Sequence, residues 1–470
     1  MIHQIKKTEM SWIFAVALSA LAWGIFSTVV VADCDLAGEQ QAATQDAAAS
    51  DAEKTIDKEA EALKERFDKE TNLASFDKVW ETIKNTHWDP DMVGQNWDDA
   101  KAKYRPLAEE ATNIDQVREA IEGLIGELGQ SHFGIIPASS YDVVDGAGGG
   151  NADTGLTFRA VEDEILVTKV RPGSSGDKAG VKTGWAVTRI RNKDVAEISR
   201  KVRAAAHGPV RFETLAALAI AKTTSGDAGD KVKLVMTDDK GETRELELEL
   251  EVPVGTTAPV FGNLPPIRVT VESKTLEGKI GYFAFSAFFD PMRIMPAFRK
   301  MLHDENHVNG IVIDLRGNVG GIAGMTMGMA SAISDSSTEL GVMRMKGTEL
   351  KFAVNEAADP VTCPVAILVD ECSISSAEIL SGGLQDTGIG KIFGGRTAGL
   401  ALPSTVIKLP NGDGFQYAIA DYKSASGKSL EMDGVTPDEP VVLSKDLLLR
   451  DSDPVLNRAL QWIKQQNEQK

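Results

Sequence analysis

The sequence predicts a multidomain α/β protein, with a helical segment at the N-terminus, a β-rich middle and a C-terminal α/β core. Three observations carry that prediction. The chain has 470 residues, more than one hydrophobic core ordinarily organises. Apolar residues recur at helical spacing before residue 130 (Phe76, Val79, Trp80, Ile83, then Val117, Ile121, Leu124, Ile125, Leu128), whereas an alternating pattern marks the stretch from Ile165 to Val170. From residue 280 onward, strands and helices alternate, as in a sheet buried between helices.

The helical segment is expected over 71–145. It follows a 33–70 spacer rich in Ala, Glu, Gln, Asp and Lys, which lacks the apolar residues needed to build a core. Trp88 and Trp97, near Asp89-Pro90, read as packing at a helix end. The second helix ends at Gly129 and is followed by Gln130-Ser131-His132-Phe133-Gly134. His132 next to Ser131 is either a packed histidine or a base. Residues 146–150, GAGGG, read as a hinge. The middle domain, 151–252, closes with a hairpin from Val232 to Leu250 around Asp239-Lys240-Gly241. A linker with Pro253, Pro259, Pro265 and Pro266 leads to the core, 267–467.

In the core, Ile280 to Phe285 and Gly310 to Leu315 read as strands, with a helix at Ile294 to Leu302 between them. The second strand opens into Arg316-Gly317-Asn318-Val319-Gly320-Gly321. Glycines just past a strand let the backbone approach a ligand, so the N–H groups of Gly320 and Gly321 are candidate oxyanion donors, or simply parts of a turn. The strand Val365 to Val369 runs through a polar turn into a helix starting near Ser376, which leaves Ser375 at the junction. The helix's first free N–H groups and the positive end of its dipole point there, an arrangement suited to a nucleophile. Ser375 to Glu378 also fits S-x-x-E, the capping box, and one serine can serve both ends.

A net charge of −19, from 50 basic and 69 acidic residues, argues against a nucleic-acid surface. Lys6 and Lys7, the apolar run from Trp12 to Ala32, and then Asp33 and Asp35 read as an export signal over 1–32. Val30 and Ala32 place small residues where a signal peptidase reads, and the run approaches the ~20 residues that span a bilayer. The signal is therefore either a cleaved peptide or an anchor tethering the chain through residues 12–32, with the rest outside the cytoplasm. Asp33 stands where lipoprotein processing of Cys34 would need a small residue. Cys363 and Cys372 bracket a strand that, at ~3.3 Å per residue, separates them well beyond the ~7 Å disulfide limit, so both are expected as free, buried thiols. No cysteine or histidine pair has zinc spacing, and no metal or organic cofactor is expected.

Two resemblances sharpen this reading. Gly155-Leu156-Thr157-Phe158, followed by the stretch from Arg171-Pro172-Gly173 to Ala179-Gly180-Val181, resembles the circularly arranged PDZ domains of bacterial proteases. It departs from them at Trp185 and Thr157. The resemblance implies that the loop at Gly155 and residues Leu156 to Phe158 capture a C-terminal strand; the other reading is a β domain without a ligand. DLRGNVGG at 314–321, VDECSISSAEILSGGLQD at 369–386 and GGRTAG at 394–399 together resemble the tail-specific, or C-terminal processing, serine peptidases. The likeness covers roughly residues 70–465 in the family's own order, and it implies a ClpP/crotonase-like sheet with Ser375 as nucleophile.

One branch of that family pairs its serine with a lysine after G-x-x-T-x-G, where this chain has Leu400. The tricorn-type branch uses a Ser-His-Ser-Glu tetrad, and the likeness to it places His132 as base, Ser131 as its orienting partner and Glu431 as the carboxylate before Gly434-Val435-Thr436-Pro437-Asp438, with Asp433 as fallback. Asp386, unperturbed, would be a poor base. The oxyanion donors would be Ser376 with Gly320 or Gly321. The implied function is an exported serine endopeptidase, periplasmic, secreted or anchored, that cleaves unstructured protein tails through an acyl-enzyme. The rival, kept alive by Leu400, is a non-catalytic binder like the retinoid-binding repeats of the same fold, or a PDZ scaffold.

Overall fold

The computed structural model describes residues 67–141, 152–206, 211–304 and 309–469. The export signal, Cys34, most of the spacer and the 146–150 hinge lie outside the described residues.

Helices α1 (Lys69–Thr86), α2 (Gln95–Glu110) and α3 (Ile114–Gly126) form the N-terminal module. Asp68 caps α1 by accepting from Glu70 N at 3.0 Å, so the first helix begins inside the stretch expected to be spacer. Phe76, Val79 and Ile83 of α1 pack on Val117, Ile121 and Leu124 of α3. Helix α2 escaped notice because it buries only Trp97, Ala100 and Ala108 and contains Pro106. Trp97 is buried in the first turn of α2, and Trp80 and Trp97 each donate an indole N–H to the other's carbonyl at 3.1 Å.

Strand β1 (Gly134–Ile136) follows, and then the middle module: β2 (Leu156–Val161), β3 (Glu164–Val170), β4 (Ala186–Ile190), α4 (Val195–Ala205), α5 (Phe212–Thr223), β5 (Lys231–Thr237) and β6 (Thr243–Glu249). Its strands form an antiparallel sheet in the order β2-β3-β4-β5-β6, with β2 at the edge beside α5. Asp238 closes the β5–β6 turn by accepting from Lys240 N and Glu242 N, both at 2.9 Å.

The core contains β7 (Val271–Leu276), β8 (Ile280–Phe285), α6 (Pro291–Leu302), β9 (Gly310–Asp314), α7 (Gly324–Ile333), β10 (Thr338–Met345), β11 (Thr348–Val354), β12 (Val365–Val369), α8 (Ser376–Asp386), β13 (Lys391–Gly394), β14 (Ser404–Lys408), β15 (Gly414–Ala418), β16 (Ala420–Ser424), β17 (Glu439–Pro440) and α9 (Pro454–Glu468). The central sheet runs β7-β8-β9-β12-β13-β17, parallel except for β7. Every residue of β9 and β12 is buried because both faces are covered. Phe298, Met329 and Leu380 from α6, α7 and α8 pack on Ile313 and Ile367, while Ala459 and Ile463 of α9 pack on Val312 and Leu368. Cys372 is buried and Cys363 half-buried, and neither is disulfide-bonded; Cys363 precedes β12, outside the covered part of the sheet, which corrects the expectation that both are buried.

This topology positions the site. Strands β9 and β12 are parallel neighbours with Asp314 paired to Leu368, so the glycine loop after one and the serine turn after the other leave the sheet at the same edge. The N-terminal module reaches that edge through β1, which pairs antiparallel with β15, Ile135 opposite Phe415. Arg118 of α3 reinforces the joint with a bidentate grip on Asp413, Nε at 3.0 Å and Nη2 at 2.8 Å. No described helix is long and apolar enough to cross a membrane.

Candidate active site

The turn after β12 is built by its own side chains. Asp370 Oδ1 accepts from Cys372 N at 3.0 Å and from Gly317 N at 2.8 Å, and Ser373 Oγ donates to Leu315 O at 2.8 Å. The chain then enters α8 through Ser375 at φ 58°, ψ −115°. A non-glycine residue there costs roughly 1–3 kcal/mol and persists only where neighbours hold it. Ser375 N donates to Leu400 O and to Glu378 Oε2, both at 3.0 Å. The amide of Glu378 donates to Ser375 O at 2.8 Å, and Ser375 Oγ, 1 % exposed, has no hydrogen-bond partner among the described residues.

Gly320 lies against this serine. A Cβ on Gly320 would come within 2.7 Å of Ser375 Cβ and 3.1 Å of Ser376 N, and its φ of +85° independently favours glycine. Its N–H is engaged, donating to Asn318 Oδ1 at 2.9 Å, so of the two glycines it is the one already committed. Asn318 is itself anchored by donating to Phe285 O at 2.7 Å.

His132 is 2 % exposed and also at positive φ, 62°. Its Nδ1 lies 2.7 Å from Ser131 Oγ. Ser131 Oγ donates to Glu431 Oε2 at 2.9 Å, and the backbone N–H groups of Ser131 and Ala401 also donate to Glu431, at 2.9 and 3.0 Å. A hydroxyl has one proton, so with that proton on Glu431, Ser131 accepts from Nδ1–H and the lone pair of His132 falls on Nε2. His132 Nε2, like Ser375 Oγ, is buried without a partner among the described residues. Ser375 N is bonded to Leu400 O, and the next residue, Ala401, is bonded to Glu431, so the two halves of the site meet at residues 400–401.

Burial holds the imidazole neutral, pushing its pKa down to about 3. Burial also pushes Glu431 above the usual carboxylate range, opposed by the hydrogen bonds from Ser131 and Ala401. Asp433 stands apart, pairing with Arg396 at 3.5 Å across solvent, and Asp386 accepts from Ser426 N at 2.9 Å. Leu400 is fully buried and belongs, with Ile374 and Ala398, to the hydrophobic core of the middle module.

That module sits directly over the serine turn. Arg159 reaches Asp370 at 2.8 Å and Glu371 at 3.1 Å, Thr214 Oγ1 donates to Glu371 O at 2.7 Å, and Arg211 Nη2 donates to Arg396 O at 3.1 Å. Gly155, Leu156 and Thr157 border a cavity of about 1240 Å3 between module and core, bounded opposite by Val271, Asp370 and Gly395. Phe158 is buried at 3 % exposure in the module's own core. Gly155 N already donates to Asp153 Oδ1 at 2.7 Å and Leu156 N to Thr154 Oγ1 at 3.3 Å, so this loop does not present the row of free N–H groups expected of it. Among the described residues no cluster of His, Cys, Asp or Glu is arranged to hold a metal ion.

The chain carries the domain of a serine peptidase. More particularly, the chain carries a domain matching Peptidase family S41 over residues 279–441, preceded at residues 68–126 by a match to the Tricorn protease C1 domain. Similar relatives include the C-terminal processing peptidase, chloroplastic, of Tetradesmus obliquus, 23% identical over 387 residues, covering 79% of this chain and 78% of that one. The carboxyl-terminal-processing protease of Synechocystis sp. is 25% identical, covering 77% of this chain and 79% of the relative. Among solved structures, the photosystem II D1 C-terminal processing protease superposes with a TM-score of 0.53 at 21% identity, over 82% of this chain and 99% of that one. Mature CPAF gives 0.57 at 14% identity, over 84% and 97%. Both show a shared fold.

Sequence reading missed the four-way bonding of Glu378, the Arg159 contact and the Arg118–Asp413 grip. Glu378 had a local signal, its place in the capping box; the other two join residues more than 200 positions apart and left none.

Proposed function

We propose that the protein is an exported serine endopeptidase that cleaves unstructured tails or fragments of other proteins, with Ser375 as nucleophile and His132 as base. The observation that carries this is the chain Glu431–Ser131–His132, whose hydrogen bonds put the basic lone pair on Nε2 while Ser375 Oγ is left uncommitted. Ser375 Oγ attacks the scissile carbonyl carbon as its proton passes to His132 Nε2. The carbonyl oxygen, now an oxyanion, is met by the N–H groups of Ser376 and Gly321. The C–N bond breaks as His132 returns that proton to the leaving amine, and water, activated by the same nitrogen, hydrolyses the ester. Glu431, acting through Ser131, stabilises the imidazolium.

His132 Nε2 and Ser375 Oγ make no hydrogen bond to each other, and burial lowers the imidazole pKa, so turnover calls for a rearrangement that brings the two together and admits water. The middle module, PDZ-like in its sheet, is the element that would move, and the cavity beside β2 is where a tail would enter; this reading is supported by the module's contacts with residues 370–371 and 396. Export through residues 1–32 rests on the sequence pattern.

The test is labelling by a fluorophosphonate probe of wild type, Ser375→Ala, His132→Ala and Leu400→Lys, with cleavage of a tailed protein alongside. Loss of labelling in both alanine variants with no gain from lysine supports the assignment. A wild type that is folded and opened by a tail peptide yet never labels would sink it in favour of a non-catalytic binder.

A further inference from the structure

We infer that Glu378 is a positioning residue for the nucleophile: its buried carboxylate clasps the Ser375 turn to the 397–401 loop and so sets where Ser375 stands relative to His132. The inference rests on the Ser375–His132 reading above. Both oxygens are fully used. Oε1 accepts from Thr397 Oγ1 at 2.6 Å and Gly399 N at 2.7 Å; Oε2 accepts from Leu400 N at 2.9 Å and Ser375 N at 3.0 Å. With Glu378 ionised, Thr397 Oγ1 is the donor of that pair, and it accepts in turn from Val435 N at 2.6 Å. One residue beyond Leu400, Ala401 N binds Glu431, which binds Ser131 and through it His132. The loop that bears a lysine in the other branch of the family thus works here as a spacer between nucleophile and base, with one carboxylate at each end.

A capping glutamate needs only the Ser375 amide; the three donors from the 397–400 loop exceed that role. Three backbone N–H groups, which can only donate, and one hydroxyl face it, so the ionised form is the one that fits best. Burial raises the pKa of Glu378 to about 7 despite these bonds, so on mild acidification one oxygen becomes a donor that either opposes the backbone N–H groups or reverses the Thr397 bond. The charged groups around it are Arg211 of α5, which hydrogen-bonds Arg396 O, and Arg396, Glu371 and Glu431 on the loops; none donates to Glu378. Helix α7 brings no charge, and the charges of β10 and β13 are paired elsewhere, Glu339 with Lys351, Arg344 with Glu349 and Lys391 with Glu439. Asp421 and Lys423 of β16 complete the set.

The experiment compares Glu378→Gln, Thr397→Val and Thr397→Ser in the full chain, with Ser375→Ala and His132→Ala as controls. Glutamine sets an N–H2 against the Leu400 and Ser375 amides one way, and against the Gly399 amide with the Thr397 bond reversed the other way, so kcat should fall about 100-fold with KM little changed. Removing the Thr397 donor raises the Glu378 pKa, so in Thr397→Val the acid limb of kcat, and of probe labelling, moves to higher pH. Thr397→Ser leaves it in place. Thr397 does not touch Glu431, so this shift singles out Glu378, and it decides the matter even if Glu378→Gln fails to fold. An unmoved acid limb in Thr397→Val, or a folded Glu378→Gln variant with wild-type kcat, overturns the inference. If Ser375→Ala or His132→Ala keeps turnover, the underlying site reading falls instead.

Discussion

Glu431→Gln provides the sharpest test of the tautomer argument. In the wild type, Glu431 accepts from Ser131 N, Ser131 Oγ and Ala401 N. Glutamine has one oxygen. With that oxygen at the Oε2 position, its N–H2 opposes Ser131 N–H. With the oxygen at Oε1, the N–H2 opposes Ala401 N–H and donates to Ser131 Oγ, whose own proton then turns to His132 Nδ1 and moves the imidazole proton to Nε2. Either way a charge-assisted bond worth about 1.5–3 kcal/mol is lost and a second is weakened or reversed, so the expected penalty of about 3–5 kcal/mol is a 10²–10⁴-fold fall in kcat/KM. Peptide hydrolysis and probe labelling measure the fall, and ¹⁵N NMR of the histidines reads the tautomer directly. Acid mimics the substitution: Glu431 titrates above the usual carboxylate range, and activity is lost as pH drops through that raised value because protonation reverses the same hydrogen bond. A Glu431→Gln variant within threefold of wild type, with His132 still protonated on Nδ1, would refute the reasoning.

Leu400→Lys should create no dyad: the side chain is buried in the middle module's core, so the variant should lose stability in thermal denaturation by about 2–5 kcal/mol and gain no labelling. Arg159→Met removes the cation shared by Asp370 and Glu371 and should speed labelling of Ser375 by loosening the cover; slower labelling would count against the gate. Deleting residues 155–252 should impair cleavage of tailed proteins more than that of short peptides, and equal loss on both would rule out delivery by the module. Burial pushes Asp314 up, but Arg316 outweighs it and holds the pKa at about 2; stability from this group is present above its unfolded value near 4 and lost as pH falls toward 2. Asp314→Asn, which leaves Arg316 buried with Asp453 alone, should destabilise the core by about 3–5 kcal/mol in urea titration.

Much of this protein was determined by local sequence. The Val365–Val369 run is apolar at every position, so it had to be a buried strand, and the small polar residues after it had to turn into a helix with Ser375 at its mouth. The 310–314 strand and its glycines were legible for the same reason. Helix α2 was not, because its core-facing residues are mostly alanines that leave no apolar stripe. What only the tertiary structure decided is which distant groups meet. The pairing of β1 with β15, the Arg118–Asp413 grip and the Glu431–Ser131 bond join residues separated by some 280 to 300 positions, and no periodicity records them. The choice of Glu431 over Asp433 turns on two residues' difference in a turn held by Met432 at positive φ, which carries one carboxylate into the site and leaves the other in solvent. Burial, too, belongs to the assembled structure: the same histidine and glutamates have ordinary pKa values in the chain and displaced ones in the fold, because only the packed modules exclude the water that would solvate their charge.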